Sequence, residues 1–178
     1  MEVQYNAGGI RGLCVIAPDV YEDNRGYFMQ TFSKDMFAEE FVQENQSFSV
    51  KGVMRGLHFQ KAHPQAKLVR VVQGKVYDVA VDIREDSATY GQWFGIELSD
   101  ENQLEFYIPE GFAHGFYVLS DTATFVYLCA EYYYPEDQHG YAWDSVGIDW
   151  PIDKEVPLIL SEKDKQWPAF RREHEHIC

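Results

Sequence analysis

An all-β domain, built as an antiparallel sandwich or barrel, is the fold class this 178-residue chain predicts, and three observations predict it. Short runs rich in Val, Ile, Phe, Tyr and Thr recur along its middle: KLVRVVQ, KVYDVAVDIR, QWFGIEL, LEFYIP, HGFYVLS and ATFVYLCAEYYY. Gly, Pro, Asp, Asn and Ser separate these runs at the spacing of turns. Helical signals are confined to two short stretches. With 46% hydrophobic and 25% charged residues the chain has the balance of a globular domain, and residues 1–178 read as one domain without repeat or linker.

Taken in order, Ser33 can cap a short helix through Phe41, with Met36, Phe37 and Phe41 apolar. The stretch from Gly52 to Arg70, GVMRGLHFQKAHPQAKLVR, follows and places Arg55, His58 and Lys67 on and around two strand-like segments. After Gly74, alternation puts Tyr77, Val79, Val81 and Ile83 on one face and Val76, Asp78, Ala80 and Asp82 on the other. The first face is core, and the mixed face is suited to lining a cavity. The remaining runs supply further strands of a sandwich or barrel. Ser161 can cap a second peripheral helix at SEKD, and the polar tail REHEHIC is expected to be loosely ordered.

Charge narrows the partners. The 29 acidic and 15 basic side chains give a net charge of −14, which argues against duplex nucleic acid or an anionic membrane as partner. An anionic ligand must therefore meet locally clustered Arg and Lys. Cys14, Cys129 and Cys178 are scattered without CxxC spacing, so a disulfide framework or zinc site is not expected and a reducing, cytoplasmic location is. The N-terminal MEVQYNAGG lacks a basic region followed by an apolar run, and no window approaches 18 apolar residues.

IPEGFAHGF, residues 108–116, has the form Pro-x-Gly-x-x-His and resembles the second motif of the cupins. That resemblance implies a double-stranded β-helix, or jelly roll. In metal-binding cupins a first motif of Gly, five residues and His-x-His supplies ligands; counting from Gly74 lands on Ala80 and Asp82. No bound metal is expected.

Nine blocks in register, NRGYFMQ, QENQSFS, GVMRGLHFQ, KLVRVVQGKVYDVAVDIR, TYGQW, LS-EN-QL, IPEGFAHGF, WDS-GIDWP and LSEKD, make the chain similar to the dTDP-4-dehydrorhamnose 3,5-epimerase family from about residue 20 to residue 165. The resemblance implies a homodimeric cupin-type jelly roll with a few short peripheral helices. It also implies inversion of carbons 3 and 5 of a dTDP-linked 4-keto-6-deoxyhexose without metal or nucleotide cofactor. The chemistry asks for a base, a group that stabilises the enolate oxygen and a proton donor on the opposite ring face. His58 matches the family's base, and an ordinary imidazole titrating near about 6.5 suits proton abstraction at neutral pH. Asp164 matches the carboxylate that orients this base, although Ser161-x-x-Asp164 also has the form of a capping box. Tyr127 matches the opposing proton donor, and Lys67 would face the oxygen at carbon 4, fixed in a polar cluster with Asp78 and His114.

For the nucleotide diphosphate and sugar, the resemblance implies Arg25, Gln43, Glu44, Asn45, Arg55 and Lys163, with His114 nearby and Tyr132 flanking the base or sugar. The arginine fork suits paired phosphate oxygens. Two positions depart from the family pattern: Gln30 stands where a glutamate is common five residues after the NRG arginine, and His139 where one is common before the glycine preceding WDS. Both positions are expected near the nucleotide or sugar and leave nucleotide identity open. The same catalytic residues would also serve a mono-epimerase or a GDP-sugar epimerase of this fold, and a sugar-nucleotide ketoisomerase is a more distant alternative. A catalytically silent binding module would be expected to have lost His58, Tyr127 or Asp164.

Overall fold

The computed structural model describes residues 1–171 of the chain, so the REHEHIC tail and Cys178 lie outside the described residues. Along the chain run β1 (Glu2–Tyr5), β2 (Cys14–Ala17), β3 (Val20–Asp23), β4 (Gly26–Met29), β5 (Gln43–Val50), β6 (Met54–Gln60) and β7 (Lys67–Gln73). They are followed by β8 (Lys75–Asp82), β9 (Trp93–Ser99), β10 (Glu105–Ile108), β11 (Phe112–Val118), β12 (Thr122–Cys129) and β13 (Gln138–Gly140). Six strands form one sheet in the order β1-β2-β10-β7-β12-β5, and five form the other in the order β13-β6-β11-β8-β9. β3 and β4 pair as a separate hairpin. The ladders are antiparallel, giving the expected double-sheet jelly roll. No helix among the described residues is long and apolar enough to cross a membrane.

Three apolar layers hold the sheets. Between them lie Val69 and Val71 of β7, Val76 and Ala80 of β8, Phe106 and Ile108 of β10, Phe116 of β11 and Phe125 of β12. Each of these Val, Ile and Phe side chains stabilises the fold by about 1.5–3 kcal/mol when fully buried. The outer face of the six-stranded sheet is covered by Phe32, Phe37 and Phe41, which pack on Ile16, Leu68, Tyr107 and Leu128. The outer face of the five-stranded sheet carries Leu57, Val79, Val81 and Ala113 beneath Tyr141, Val146, Ile148 and Trp150. β8 is thus covered on both sides, with its mixed face turned between the sheets.

Both expected helices are replaced by single 3-10 turns, at Lys34–Met36 and Asp164–Gln166. In the first, tertiary packing overrides local helical preference: Phe37 lies 4.9 Å from the Tyr107 ring, and Phe37 and Phe41 meet edge to face at 5.4 Å. An extended strap lays all three phenylalanines on the sheet. In the second, Pro168 forces Trp167 out of helical geometry, to φ −64° and ψ 140°, and ends the turn.

Candidate active site

A cavity of about 410 Å³ opens between the sheets. Its walls are made by the inward faces of β6 and β11 on one side and of β5, β7 and β12 on the other. Strict alternation would send Arg55 and His58, three residues apart, to opposite faces of β6. A β-bulge prevents this: His58 pairs with His114 and Arg55 with Phe116, so three steps on β6 oppose two on β11. Gly56 makes the bulge possible. Its φ is +125°, and a Cβ there would sit 2.5 Å from the Gly115 Cα and 2.8 Å from the His114 carbonyl oxygen. The bulge brings Arg55 and His58 together on the cavity wall.

His58 Nε2 lies 2.5 Å from Asp164 Oδ1. Asp164 reaches it from the 3-10 turn near the end of the described chain, where its backbone N–H donates to Ser161 Oγ at 3.0 Å. The competing readings of Ser161-x-x-Asp164 are thereby reconciled: Ser161 caps the turn while the Asp164 carboxylate faces the histidine. Burial alone would raise the Asp164 pKa, but hydrogen bonding and charge from His58, with donors on Ser161 and Trp167, hold it below the ordinary carboxylate value.

A second histidine–carboxylate pair lies in the same sheet. His114 Nε2 is 3.0 and 2.9 Å from the two oxygens of Asp78, which is wholly buried. Lys67 faces them from β7. Burial pushes its ammonium below the usual lysine range, opposed by the charges of Cys129 and Asp78. Across the cavity from His58, β12 contributes Tyr127. Burial holds this phenol above its ordinary pKa, Cys129 and Tyr133 add to that and Arg55 opposes it, which favours the protonated form.

The proposed binding residues divide. Asn45, Arg55 and His114 line the cavity. Arg55 Nε donates to Ser49 Oγ at 3.1 Å, bridging the sheets. Gln43 supports the wall, donating to Asn45 Oδ1 at 2.8 Å and accepting from the Tyr133 backbone N–H at 3.1 Å. Lys163 lies at the edge, with Nζ 2.5 Å from the cavity-lining Gln138 Oε1. Glu44 instead turns outward by strand alternation, into a small hollow with Arg70 and Glu105. Tyr132 is 55% exposed; its neighbour Tyr133 lines the cavity, because Gln60 clamps the flanking Tyr132 carbonyl and Tyr134 N–H at 3.0 and 2.8 Å. His139 stacks outside on Phe59 at 5.7 Å, and Gln138 takes the inward position.

Arg25 and Gln30 do not reach this cavity. Arg25 caps the β3–β4 hairpin, 85% exposed and paired with Asp23 at 2.6 Å, while Gln30 lines an open surface groove beside Tyr21 and Phe28. Sequence reasoning also missed Ser47, Gln65, Cys129, Gln138 and Trp167. Cys129 and Ser47 were available from alternation with Tyr127 and Asn45, and Trp167 from its three-residue distance to Asp164. Gln138, in the PEDQHG turn, carried no such signal. Among the described residues, no group of three or more His, Cys, Asp or Glu is arranged to hold a metal ion. Ala80 is core, and Asp82 accepts hydrogen bonds from Arg84, Ser87 and Thr89.

The chain as a whole is similar to known proteins in sequence and in structure. The family model for dTDP-4-dehydrorhamnose 3,5-epimerase matches residues 8–172. A dTDP-4-dehydrorhamnose 3,5-epimerase from Methanothermobacter thermautotrophicus is 52% identical over 177 residues, covering 96% of each chain. The crystal structure of a Legionella pneumophila dTDP-6-deoxy-D-glucose-3,5-epimerase in complex with dTDP-4-keto-L-rhamnose superposes with a TM-score of 0.86 at 41% identity, over 96% of this chain and 100% of that one. A 3'-monoepimerase from Streptomyces bikiniensis, solved with dTDP-quinovose, is more distant, at TM-score 0.81 and 30% identity over 89% of this chain and 84% of that one. With the family model spanning most of the sequence and relatives matching it nearly end to end, the chain belongs to the dTDP-4-dehydrorhamnose 3,5-epimerase family.

Proposed function

We propose that this protein converts dTDP-4-dehydro-6-deoxy-D-glucose to dTDP-4-dehydro-L-rhamnose by inverting carbons 3 and 5, using side chains alone. The observation that carries the reading is that an imidazole–carboxylate pair and a protonated phenol come from opposite sheets onto one cavity. With Nε2 directed at Asp164, a neutral His58 carries its lone pair on Nδ1. That nitrogen takes the proton alpha to the 4-ketone, and Asp164 stabilises the imidazolium that forms. The electron pair moves onto the carbonyl oxygen, where the Lys67 ammonium in a low-dielectric cavity stabilises the enolate. Tyr127 then delivers its proton to the opposite face of the same carbon. Once solvent has restored both groups, the same pair acts at carbon 5.

Arg55, Asn45, His114 and Tyr133 are suited to hold the sugar and nucleotide diphosphate, with Lys163 and Gln138 at the rim. The dTDP-sugar relatives support a dTDP-linked substrate over a GDP-linked one. Incubation with dTDP-4-dehydro-6-deoxy-D-glucose in deuterated water, followed by NMR of the ring, tests the reading. Deuterium at both carbon 3 and carbon 5 is expected. Exchange at carbon 3 alone would make the protein a mono-epimerase like its more distant relative, and migration of the carbonyl would make it a ketoisomerase.

The working unit we propose is a cytoplasmic homodimer. Tyr21, Tyr27 and Phe28 on the hairpin are 63%, 59% and 69% exposed, and β5 ends its sheet with Phe48 on the surface. A second copy would cover these apolar groups. It would also account for the distance of Arg25 and Gln30 from their own cavity, with Arg25 of the partner subunit completing the phosphate site. Light scattering should give twice the chain mass, and a monomer at working concentration would remove this part of the proposal.

A further inference from the structure

We infer that Trp167 is a positioning residue for the His58–Asp164 pair, an inference that rests on the epimerase reading of that pair. The indole Nε1–H donates to Asp164 Oδ1 at 3.1 Å, and this is the same oxygen that faces His58 Nε2 at 2.5 Å. A carboxylate bonded to one donor can rotate about its Cβ–Cγ bond. A second donor converging on the same oxygen fixes that rotation and with it the plane in which the imidazole is held. The indole ring also stands 6.1 Å from the imidazole at 67°, closing one side of the pair.

The surroundings keep the indole in this place. Gly140 is the register partner of His58 on β13, and a Cβ there would come within 2.6 Å of the indole ring and 2.7 Å of the Leu57 carbonyl oxygen. Only glycine leaves room for the ring against the strand. Pro168 holds Trp167 extended, turning its side chain back from the end of the 3-10 turn that presents Asp164. On the rim, Lys163 Nζ lies 5.4 Å above the indole ring while also donating to Gln138, a cavity-lining residue. Trp167 thus links the mouth of the cavity to its base.

The second donor has a chemical consequence. It stabilises the Asp164 anion, so the carboxylate orients the imidazole without taking its proton, and Nε2 keeps the hydrogen that leaves Nδ1 free as the base. Removing the donor should make the carboxylate more basic and bind the protonated imidazole more tightly. The acidic limb of the pH–rate profile would then move to higher pH.

Trp167→Phe tests this, since it keeps an aromatic ring and deletes the N–H. We expect kcat for ring-proton exchange to fall about tenfold, the loss of one charge-assisted hydrogen bond in orientation. KM should stay within about twofold, and the acidic limb of kcat/KM should rise by roughly half a pH unit to one unit. An unmoved limb with unchanged kcat would overturn the inference. The second measurement uses the wild-type protein without substrate: the Trp167 indole N–H resonance, followed by proton–nitrogen NMR, should shift with pH as the pair titrates. An indole resonance flat from pH 5 to 8 would also overturn it. Should the wild type show no exchange while the indole resonance titrates, the epimerase reading fails and the coupling of Trp167 to the pair stands.

Discussion

Two histidine–carboxylate pairs meet at the cavity, His114–Asp78 and His58–Asp164, built from the same two groups but differing in exposure and in the elements that supply the partner. His114 and Asp78 are 9% and 0% exposed at the side chain, sit on adjacent strands of one sheet, and share both carboxylate oxygens at 3.0 and 2.9 Å. His58 is 26% exposed, and its partner Asp164 arrives from a turn 106 residues away and meets it through one oxygen. The first pair is locked by two ladders and a two-oxygen contact, a geometry suited to holding charge and shape beneath Lys67. The second keeps one face of the imidazole toward the cavity and depends on Ser161 and Trp167 to hold its carboxylate. Under the proposed reading the same two groups hold and position in one place and act as base in the other, according to exposure and to which elements supply the partner.

Substitutions should separate the pairs, beginning with the largest effect. His58→Asn is expected to lower kcat by ~10³ to 10⁴ with little change in melting temperature, as removal of a positioned base should. Lys67→Met should cost about 10² in kcat through loss of enolate stabilisation, and turnover left intact would contradict its role. Asp78→Asn should reverse the pattern. It removes a buried charge partner of His114 and should destabilise the fold by roughly 3 kcal/mol in denaturant titration, while the molecules that remain folded lose less activity than Asp164→Asn. If Asp78→Asn instead leaves stability intact and abolishes turnover, the assignment of scaffold and base is wrong.

Acid and alkali should probe the same contrast more gently. Asp164 has a lowered pKa in the fold, so its pairing contributes stability above the ordinary carboxylate range that is lost as pH falls through the lowered value. Asp164→Asn should flatten that acid limb in pH-dependent unfolding. Glu105 is the opposite case, a buried carboxyl without a histidine. Both its oxygens lack a hydrogen-bond partner, and burial, opposed by Arg70, pushes its pKa up to about 8. Its protonated form is favoured by folding, so stability is fully present below the unfolded pKa of about 4.3 and declines, by up to ~1.4 kcal/mol per unit, as pH rises toward the folded value. Glu105→Gln should remove that decline and so raise stability at pH 8 without altering turnover.

The sheets that carry apolar alternation were legible from residues alone. β7 to β12 follow the runs from Lys67 onward because their Val, Ile and Phe face the layer between the sheets or the outer covers. β5 was not legible as a strand, since Gln43, Asn45, Ser47 and Ser49 occupy its inward positions and face a polar cavity in place of a core. The short β1–β4 lack a long enough period to register. At the site, the family resemblance singled out His58, Lys67, Tyr127 and Asp164, and the structure brings them to one cavity and its edge. What spacing could not give was side-chain direction at irregular points: the Gly56 bulge that turns Arg55 inward, the clamp that selects Tyr133 over Tyr132, and the turn that presents Gln138 over His139.

The central claim is that base and acid stand on opposite walls of one cavity, and Tyr127→Phe tests it most directly. Incubated with dTDP-4-dehydro-6-deoxy-D-glucose in deuterated water, this variant should incorporate deuterium at carbon 3 with configuration retained. His58 would still remove the proton and return a deuteron from its own side, while the epimerised product is lost. Inverted product forming at the wild-type rate would contradict the account, because the proton would then have come from a donor other than Tyr127.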